Sequence, residues 1–136
     1  MKNLAKYKKI IRTREYLVQA IYQFLFNYQN IEDIVIQFKD EHQNKNVDFA
    51  YFEKSLRSIE KNNKSIQDSI KDLGLKETNL ELIDKSIMYF AINEFLNDEL
   101  DGPLIIDESL RLSKKFSNPE SYKFINTYLD KFLNAR

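Results

Sequence analysis

The sequence contains no cysteine and no tryptophan, and it has only two glycines and two prolines in 136 residues. Without cysteine there can be no disulfide scaffold, no thiolate zinc site and no thiol nucleophile. The turns of a multi-stranded antiparallel fold need glycine and proline, so their scarcity excludes an all-β protein and favours long helices joined by short polar links. A chain without cysteine also fits a reducing compartment, and we therefore expect a cytoplasmic protein.

Long apolar runs are absent as well. No run reaches the roughly 18 residues that a membrane-spanning helix needs, and no small-residue cleavage site follows the basic N-terminus. What the sequence does contain is 43% hydrophobic and 31% charged residues, enough for a core and a solvated surface. We therefore expect one globular domain over residues 1–136.

The charged residues are unevenly distributed, although 21 basic and 21 acidic side chains give a formal net charge of zero. Residues 1–14 hold six basic and no acidic side chains, and residues 111–136 hold six basic and two acidic ones. The intervening residues 15–110 therefore have a balance of −10. A basic terminus is either an ordinary solvated tail or an anion-binding patch.

Apolar residues at helical spacing predict about seven helices. We expect a cap at Asp48, a left-handed end at Gly74 and a capping box over residues 78–81. The most apolar helix should be central and buried. The predicted helices cover about 6–28, 31–38, 49–59, 66–73, 80–96, 104–116 and a last helix that opens at Asn118-Pro119.

Catalytic and metal-binding motifs are lacking. The sequence has no HExxH, no Gly-rich phosphate loop and no GxSxG. Its one histidine, His42, falls in a polar link, where a surface histidine is the ordinary interpretation. Adjacent carboxylates such as Asp107 and Glu108 diverge on a helix and cannot share one task. We expect a protein that acts by binding, with no metal and no cofactor, and not an enzyme.

The first helix carries the clearest binding pattern. Lys8, Arg12 and Glu15 lie three or four residues apart, so that Lys8 and Arg12 share a face and form a phosphate-binding stripe. Tyr7 and Tyr16 are interleaved with these charges. They either stack on unpaired bases or cover the edge of the core with their hydroxyls in water.

The segment Arg12-Thr-Arg14-Glu15-Tyr-Leu-Val18-Gln19-Ala20-Ile-Tyr22 resembles the R-x-R-E-x-A-V-Q-A-L-Y opening of the NusB family of bacterial transcription antitermination factors. The similarity extends over nearly the whole chain. It continues at Val47-Asp48, Tyr51-Phe52, Ile83-Asp84-Lys85, Ala91-Ile-Asn-Glu94-Phe95, Ile106-Asp107-Glu108, Leu112-Ser113-Lys114-Lys115-Phe116, Ser121-Tyr122-Lys123-Phe124-Ile125-Asn126 and Leu129-Asp130-Lys131.

The resemblance implies a compact all-α fold with two perpendicular helical halves. It also implies binding to single-stranded boxA RNA together with NusE, a small-subunit ribosomal protein, within an RNA polymerase antitermination complex. The acidic middle, including Asp84, would face NusE, whose basic character it complements. The RNA face that the resemblance implies consists of Lys2, Lys6, Lys8, Lys9, Arg12, Arg14, Tyr22, Glu120, Lys123 and Asn126.

Two other interpretations remain open. One is a diverged relative that keeps a protein interface or forms a homodimer but has little RNA binding. The other is the RNA-binding module of a ribosomal RNA methyltransferase, which the lack of a Gly-rich cofactor loop disfavours. For the leading interpretation, we expect that Arg12→Ala with Arg14→Ala weakens RNA binding and leaves thermal stability nearly unchanged.

Overall fold

The computed structural model describes residues 4–76 and 79–136, and within these ranges the chain forms seven α-helices. Lys2 and Thr78 lie outside the described residues. The helices are α1 (Leu4–Asn27), α2 (Ile31–Glu41), α3 (Phe49–Lys61), α4 (Asn63–Asp72), α5 (Leu82–Asn97), α6 (Gly102–Phe116) and α7 (Pro119–Asn134). The prediction of an all-α protein is confirmed.

Polar side chains begin several helices where the sequence predicts. The side chain of Asn30 accepts a hydrogen bond from the Glu32 amide, that of Asp48 from the Tyr51 amide, and that of Asn118 from the Ser121 amide. Each such bond satisfies an amide that the first helical turn leaves free. At the end of α4, Gly74 takes the left-handed backbone conformation expected of it, with φ at 86°.

The start of α5 differs from the prediction. The expected capping box begins at Thr78, outside the described residues. Helix α5 begins at Leu82, and its N-cap residue is Glu81, whose side chain makes no capping hydrogen bond. The helix therefore begins about two residues later than the pattern at Leu80 suggests.

Helix α5 occupies the centre of the protein. An unbroken run from Ser86 to Phe95 is buried, so this helix has no solvent-facing side over three turns. Helices α1, α3 and α4 pack against it from the N-terminal part of the chain, and α6 and α7 from the C-terminal part. A single apolar core draws buried side chains from all seven helices, and α5 joins the two groups.

The middle of α1 is buried and its two ends are exposed. Leu17 and Ile21 are fully buried, whereas Ile10 is exposed and Tyr28 lies beyond the helix with 86% of its surface exposed. No helix in the described part of the chain is long and apolar enough to cross a membrane.

Candidate nucleic-acid interface

One face of α1 is exposed to solvent along most of the helix. Lys8, Arg12, Gln19, Tyr22 and Phe26 follow one another at steps of three, four or seven residues, which places them on the same side. All five side chains are exposed. We call this set the outer stripe; its first half is basic and its second half is aromatic.

The cations of the outer stripe are available to a ligand. Neither Lys8 nor Arg12 forms an ion pair with any described residue. Lys9, on the adjacent face of α1, and Lys6, on the side opposite Lys8, likewise lack a carboxylate partner in residues 4–76 and 79–136. An unpaired guanidinium can grip a phosphate through two parallel hydrogen bonds, whereas a lysine supplies a point charge.

Arg14 has a different environment from Arg12. It points toward α6, where its Nη1 donates to Glu108 Oε1 at 2.6 Å, and only 12% of its side chain and 13% of that of Glu108 are exposed. This contact ties two helices together across 94 residues of sequence. A phosphate could reach this guanidinium only if the ion pair with Glu108 opened, so the structure does not bring Arg14 to the exposed face together with Arg12.

Arg14 belongs to a chain of ion pairs between α1 and α6. Arg111 donates to Glu108 Oε2 at 2.9 Å and to Glu15 Oε2 at 2.8 Å. Lys115 then reaches Glu15 Oε1 at 3.0 Å. We call Arg14, Glu15, Glu108, Arg111 and Lys115 the α1–α6 network. From this network we now expect that Arg12→Ala with Arg14→Ala lowers thermal stability, unlike the sequence-based prediction, because loss of Arg14 would leave Glu108 partly unpaired away from water.

The charge state of the network follows from its contacts. Burial alone would raise the pKa of the Glu108 carboxyl, but hydrogen bonds from Arg111 and Arg14 outweigh it and lower the pKa below the ordinary value. Burial likewise acts to lower the pKa of Arg111, and the Glu108 and Glu15 carboxylates raise it overall. Glu108 and Arg111 are therefore both ionised near neutral pH.

A second buried carboxylate lies near Arg14 but behaves in the opposite way. Glu94 on α5 is 3% exposed and accepts a hydrogen bond of 2.6 Å from the Tyr51 hydroxyl. Burial raises the pKa of Glu94, and the Tyr51 hydrogen bond and the Arg14 charge offset only part of this effect. Burial and the Glu94 carboxylate in turn raise the pKa of Tyr51.

The aromatic residues near α1 divide into covered and open rings. Tyr16 stacks on His42, with ring centroids 4.2 Å apart. Because His42 covers one face of the Tyr16 ring, the structure favours a role for Tyr16 at the core edge over base stacking. His42 is accordingly only partly exposed. Tyr7 is open to solvent, and Tyr22 and Phe26 stack on one another with centroids 6.1 Å apart.

The remaining predicted RNA-facing residues lie at the start of α7. Glu120, Lys123 and Asn126 are exposed and spread over about a third of the helix circumference. Lys123 also lines a cavity of about 360 Å³ between the end of α6 and the start of α7. Within that cavity the Lys114 Nζ lies 4.8 Å from the centroid of the Tyr122 ring. Lys114 and Tyr122 are not among the site residues predicted from the sequence.

Asp84 does not lie on the surface where a protein partner was expected to meet it. It is 6% exposed, and its two carboxylate oxygens accept hydrogen bonds of 2.7 Å from the Ser117 and Ser121 hydroxyls. Asp84 thus fixes the turn between α6 and α7 to the start of α5. The exposed acidic groups next to it are Glu81 and Glu120, which line the same shallow depression.

Two contacts place other helices beside the exposed face of α1. The Lys115–Glu15 ion pair places the last turn of α6 beside the outer stripe. At its aromatic end, Tyr22 and Phe26 share a cavity with Ile83 at the start of α5. Among the described residues there is no cluster of three or more side chains suited to hold a metal ion.

Comparison with known proteins places the chain in a family. The sequence profile of the NusB family matches residues 11–134. The transcription antitermination protein NusB of Tolumonas auensis is 34% identical over 122 residues, which cover 88% of this chain and 88% of the relative. That of Mannheimia succiniciproducens is 34% identical over 127 residues, covering 91% of this chain and 88% of the relative.

Solved structures share the fold. NusB of T. maritima matches with a TM-score of 0.78 and 25% identity, covering 90% of this chain and 88% of that chain. A crystal structure of the antitermination factors NusB and NusE in complex with dsRNA also has a TM-score of 0.78, at 20% identity, over 96% of this chain and 98% of that one. The resemblance that begins at Arg12 is thus confirmed, and the chain belongs to the NusB family.

Proposed function

We propose that this protein is a transcription antitermination factor that binds single-stranded boxA-type RNA together with NusE. The name shared by its relatives, transcription antitermination protein, agrees with a protein that acts by binding rather than by catalysis. The structurally similar complex of NusB and NusE with dsRNA supports NusE and RNA as the classes of partner, and the single-stranded form of the RNA is our proposal. We further propose that it acts in the cytoplasm as part of an RNA polymerase antitermination complex.

The observation that carries this proposal is the outer stripe. Arg12 is exposed and without an ion-pair partner among the described residues, and Lys8 and Lys9 extend the positive surface toward the N-terminus. Lys6 adds an exposed charge on the other side of this end of α1, and Lys2 precedes it in sequence. Phosphate neutralisation by these groups would supply most of the affinity, and it would make binding depend on salt.

Base recognition would depend on the other end of this surface. Tyr22 offers an exposed aromatic ring, and Lys123 and Asn126 offer charge and hydrogen-bonding groups at the start of α7. Single-stranded RNA is read through stacking and through hydrogen bonds to base edges. Glu120 lies in the same region and would disfavour phosphate close to it, which restricts the path of the RNA backbone.

The NusE surface would lie beside the start of α5. Because Asp84 is buried, we assign the contact with a basic partner to the exposed carboxylates near it, first of all Glu81. Asp84 would act indirectly, by holding the α6–α7 turn in place through Ser117 and Ser121. Charge complementarity of this kind mainly raises the association rate and selects the partner.

A titration of labelled boxA-type RNA tests the proposal. A scrambled RNA of equal length serves as the control, and both are measured with and without NusE at two salt concentrations. We expect sequence-dependent binding that NusE strengthens and that salt weakens. Equal, weak binding of both RNAs with no effect of NusE would contradict the proposal.

A second function, as a protein-interaction or self-associating module, is supported by a different observation. Phe26 is 63% exposed and Tyr28 86% exposed at the end of α1, an open aromatic surface that a second protein could cover. Sedimentation of the protein over a range of concentrations distinguishes this case. A homodimer that Phe26→Ser disrupts, together with failure to bind RNA, would favour it.

A further inference from the structure

The cavity between α6 and α7 has the size and chemistry of a small ligand site. We call it the junction pocket; it is lined by Lys114, Ser117, Asn118, Pro119, Tyr122 and Lys123. Its volume of about 360 Å³ is near the lower end of the roughly 300–1,000 Å³ common for ligand sites. The space suits a single planar group and its attached sugar better than a folded segment of a protein.

The lining residues are suited to a ligand that is both flat and negatively charged. Tyr122 contributes a half-buried ring, and Lys114 and Lys123 contribute two ammonium groups. Neither lysine forms an ion pair with a described residue, and no carboxylate lines the pocket. An aromatic ring that shares a pocket with two unpaired cations suits an unpaired nucleotide, whose base stacks on the ring and whose phosphates contact the cations.

We propose that the junction pocket binds one unpaired nucleotide of the RNA, with its base stacked on Tyr122 and its flanking phosphates on Lys114 and Lys123. This inference rests on the proposed function and adds a position at which RNA is held. In the structure the Lys114 ammonium lies over the ring. A base that stacks there takes its place, and the ammonium moves to the adjoining phosphate.

The position of the pocket agrees with this role. Lys115, next to Lys114, pairs with Glu15 and so places the end of α6 beside the outer stripe. An RNA strand that follows Lys8 and Arg12 can therefore continue to the pocket. The turn that lines the pocket is held by Asp84, whose carboxylate accepts hydrogen bonds from the Ser117 and Ser121 hydroxyls, which anchors the backbone on both sides of the turn, next to Tyr122.

The test removes the ring and the charges separately. We would measure the affinity of labelled boxA-type RNA for the wild type, Tyr122→Phe, Tyr122→Leu and Lys114→Gln over a series of salt concentrations. Tyr28→Leu serves as the matched control, because it removes an exposed ring outside the pocket. Thermal melting checks that each variant is folded.

Loss of the ring and loss of the charge should change the RNA affinity and its salt dependence in different ways. Tyr122→Leu should weaken binding roughly 5- to 150-fold with an unchanged salt slope, and Tyr122→Phe should bind like the wild type. Lys114→Gln, at an exposed position that folding does not require, should lower the salt slope by about one. Tyr28→Leu should change nothing.

Two results would overturn the inference, and they are distinguishable. If the wild type binds boxA-type RNA but Tyr122→Leu and Lys114→Gln both stay within twofold of it, the pocket holds no nucleotide and the proposed function stands. If the wild type itself does not bind the RNA, the proposed function fails and the inference fails with it. Should Tyr122→Leu unfold, Lys114→Gln alone decides the first case.

Discussion

Arg12 and Arg14 lie two residues apart on α1 but have different environments. Arg12 is exposed on the outer stripe and has no ion-pair partner among the described residues, whereas Arg14 is nearly buried against Glu108. Residues two apart on a helix point in directions about 200° apart, so the same side chain meets solvent at one position and a neighbouring helix at the other. The residue type alone therefore does not identify a nucleic-acid contact; its environment does.

The ion pairs of this protein also differ in exposure, and therefore in how much each stabilises the fold. Exposed pairs such as Lys54–Glu99 compete with water and salt and stabilise little. The Arg14–Glu108 pair is shielded, and losing one partner leaves a charge that water reaches poorly. We expect the largest effects on stability from the α1–α6 network and the largest effects on RNA affinity from the outer stripe.

Glu108→Ala should produce the largest change, because it takes a carboxylate from both Arg14 and Arg111. We expect a loss of about 3 kcal/mol in the free energy of unfolding, measured by urea denaturation. Glu53→Ala, which removes an exposed pair with Arg57, is the control and should have a small effect. Equal effects of the two substitutions would contradict the distinction between shielded and exposed pairs.

Asp84→Ala should come next. The substitution removes the charged acceptor of the Ser117 and Ser121 hydroxyls and leaves them only the contacts with each other and with Asn118 Oδ1, at a cost of about 2 kcal/mol of unfolding free energy. It should also weaken RNA binding, because the turn before α7 is no longer fixed. Asp107→Ala, at an exposed position on α6, should change neither quantity. An Asp84→Ala variant as stable as the wild type would show that the turn needs no anchor.

Arg12→Ala should lower the affinity for boxA-type RNA about tenfold and reduce the salt slope by about one. Since Arg12 contacts no other described charge, the free energy of unfolding should stay within about 0.5 kcal/mol. Lys45→Ala, which removes an exposed charge in the α2–α3 link, is the control for a general loss of charge. A similar loss of affinity in both variants would mean that binding is not localised on the outer stripe.

The smallest expected effect is on the pH dependence of the unfolding free energy, to which Glu108 and Glu94 should contribute with opposite signs. Because the pKa of Glu108 is lowered on folding, its stabilising contribution is present above pH 4.5 and is lost as the pH falls below it. The pKa of Glu94 is raised, so its ionisation costs stability as the pH rises above 4.5.

Unfolding measurements at several pH values check these signs. From pH 3 to 5, the wild type should gain stability relative to Glu108→Gln. From pH 4 to 7, it should lose stability relative to Glu94→Gln. Parallel curves for the two variants would show that the two carboxylates do not differ in environment.

Local signals in the sequence predicted much of the fold. Asp48, Gly74 and Asn118-Pro119 act within one helical turn of their own positions, so the cap and end that each provides follow from neighbouring residues alone. The start of α5 was predicted less well, because Glu81 takes the N-cap position without a capping side-chain bond.

The environments of Arg14 and Asp84 depend on distant parts of the chain. Glu108 lies 94 residues from Arg14, and Ser121 lies 37 residues from Asp84. No local pattern encodes such a pairing. One signal was available: Leu17 and Val18, three and four residues after Arg14, are apolar, which places Arg14 on an inward-facing side of α1.

The most direct test of this account measures RNA affinity and the free energy of unfolding for Arg12→Ala and Arg14→Ala side by side. We predict that Arg12→Ala loses RNA affinity and keeps its stability. Arg14→Ala should lose stability and, while folded, keep most of its RNA affinity. If both variants lost RNA affinity equally and both remained as stable as the wild type, the assignment of Arg12 to RNA binding and of Arg14 to fold stability would be contradicted.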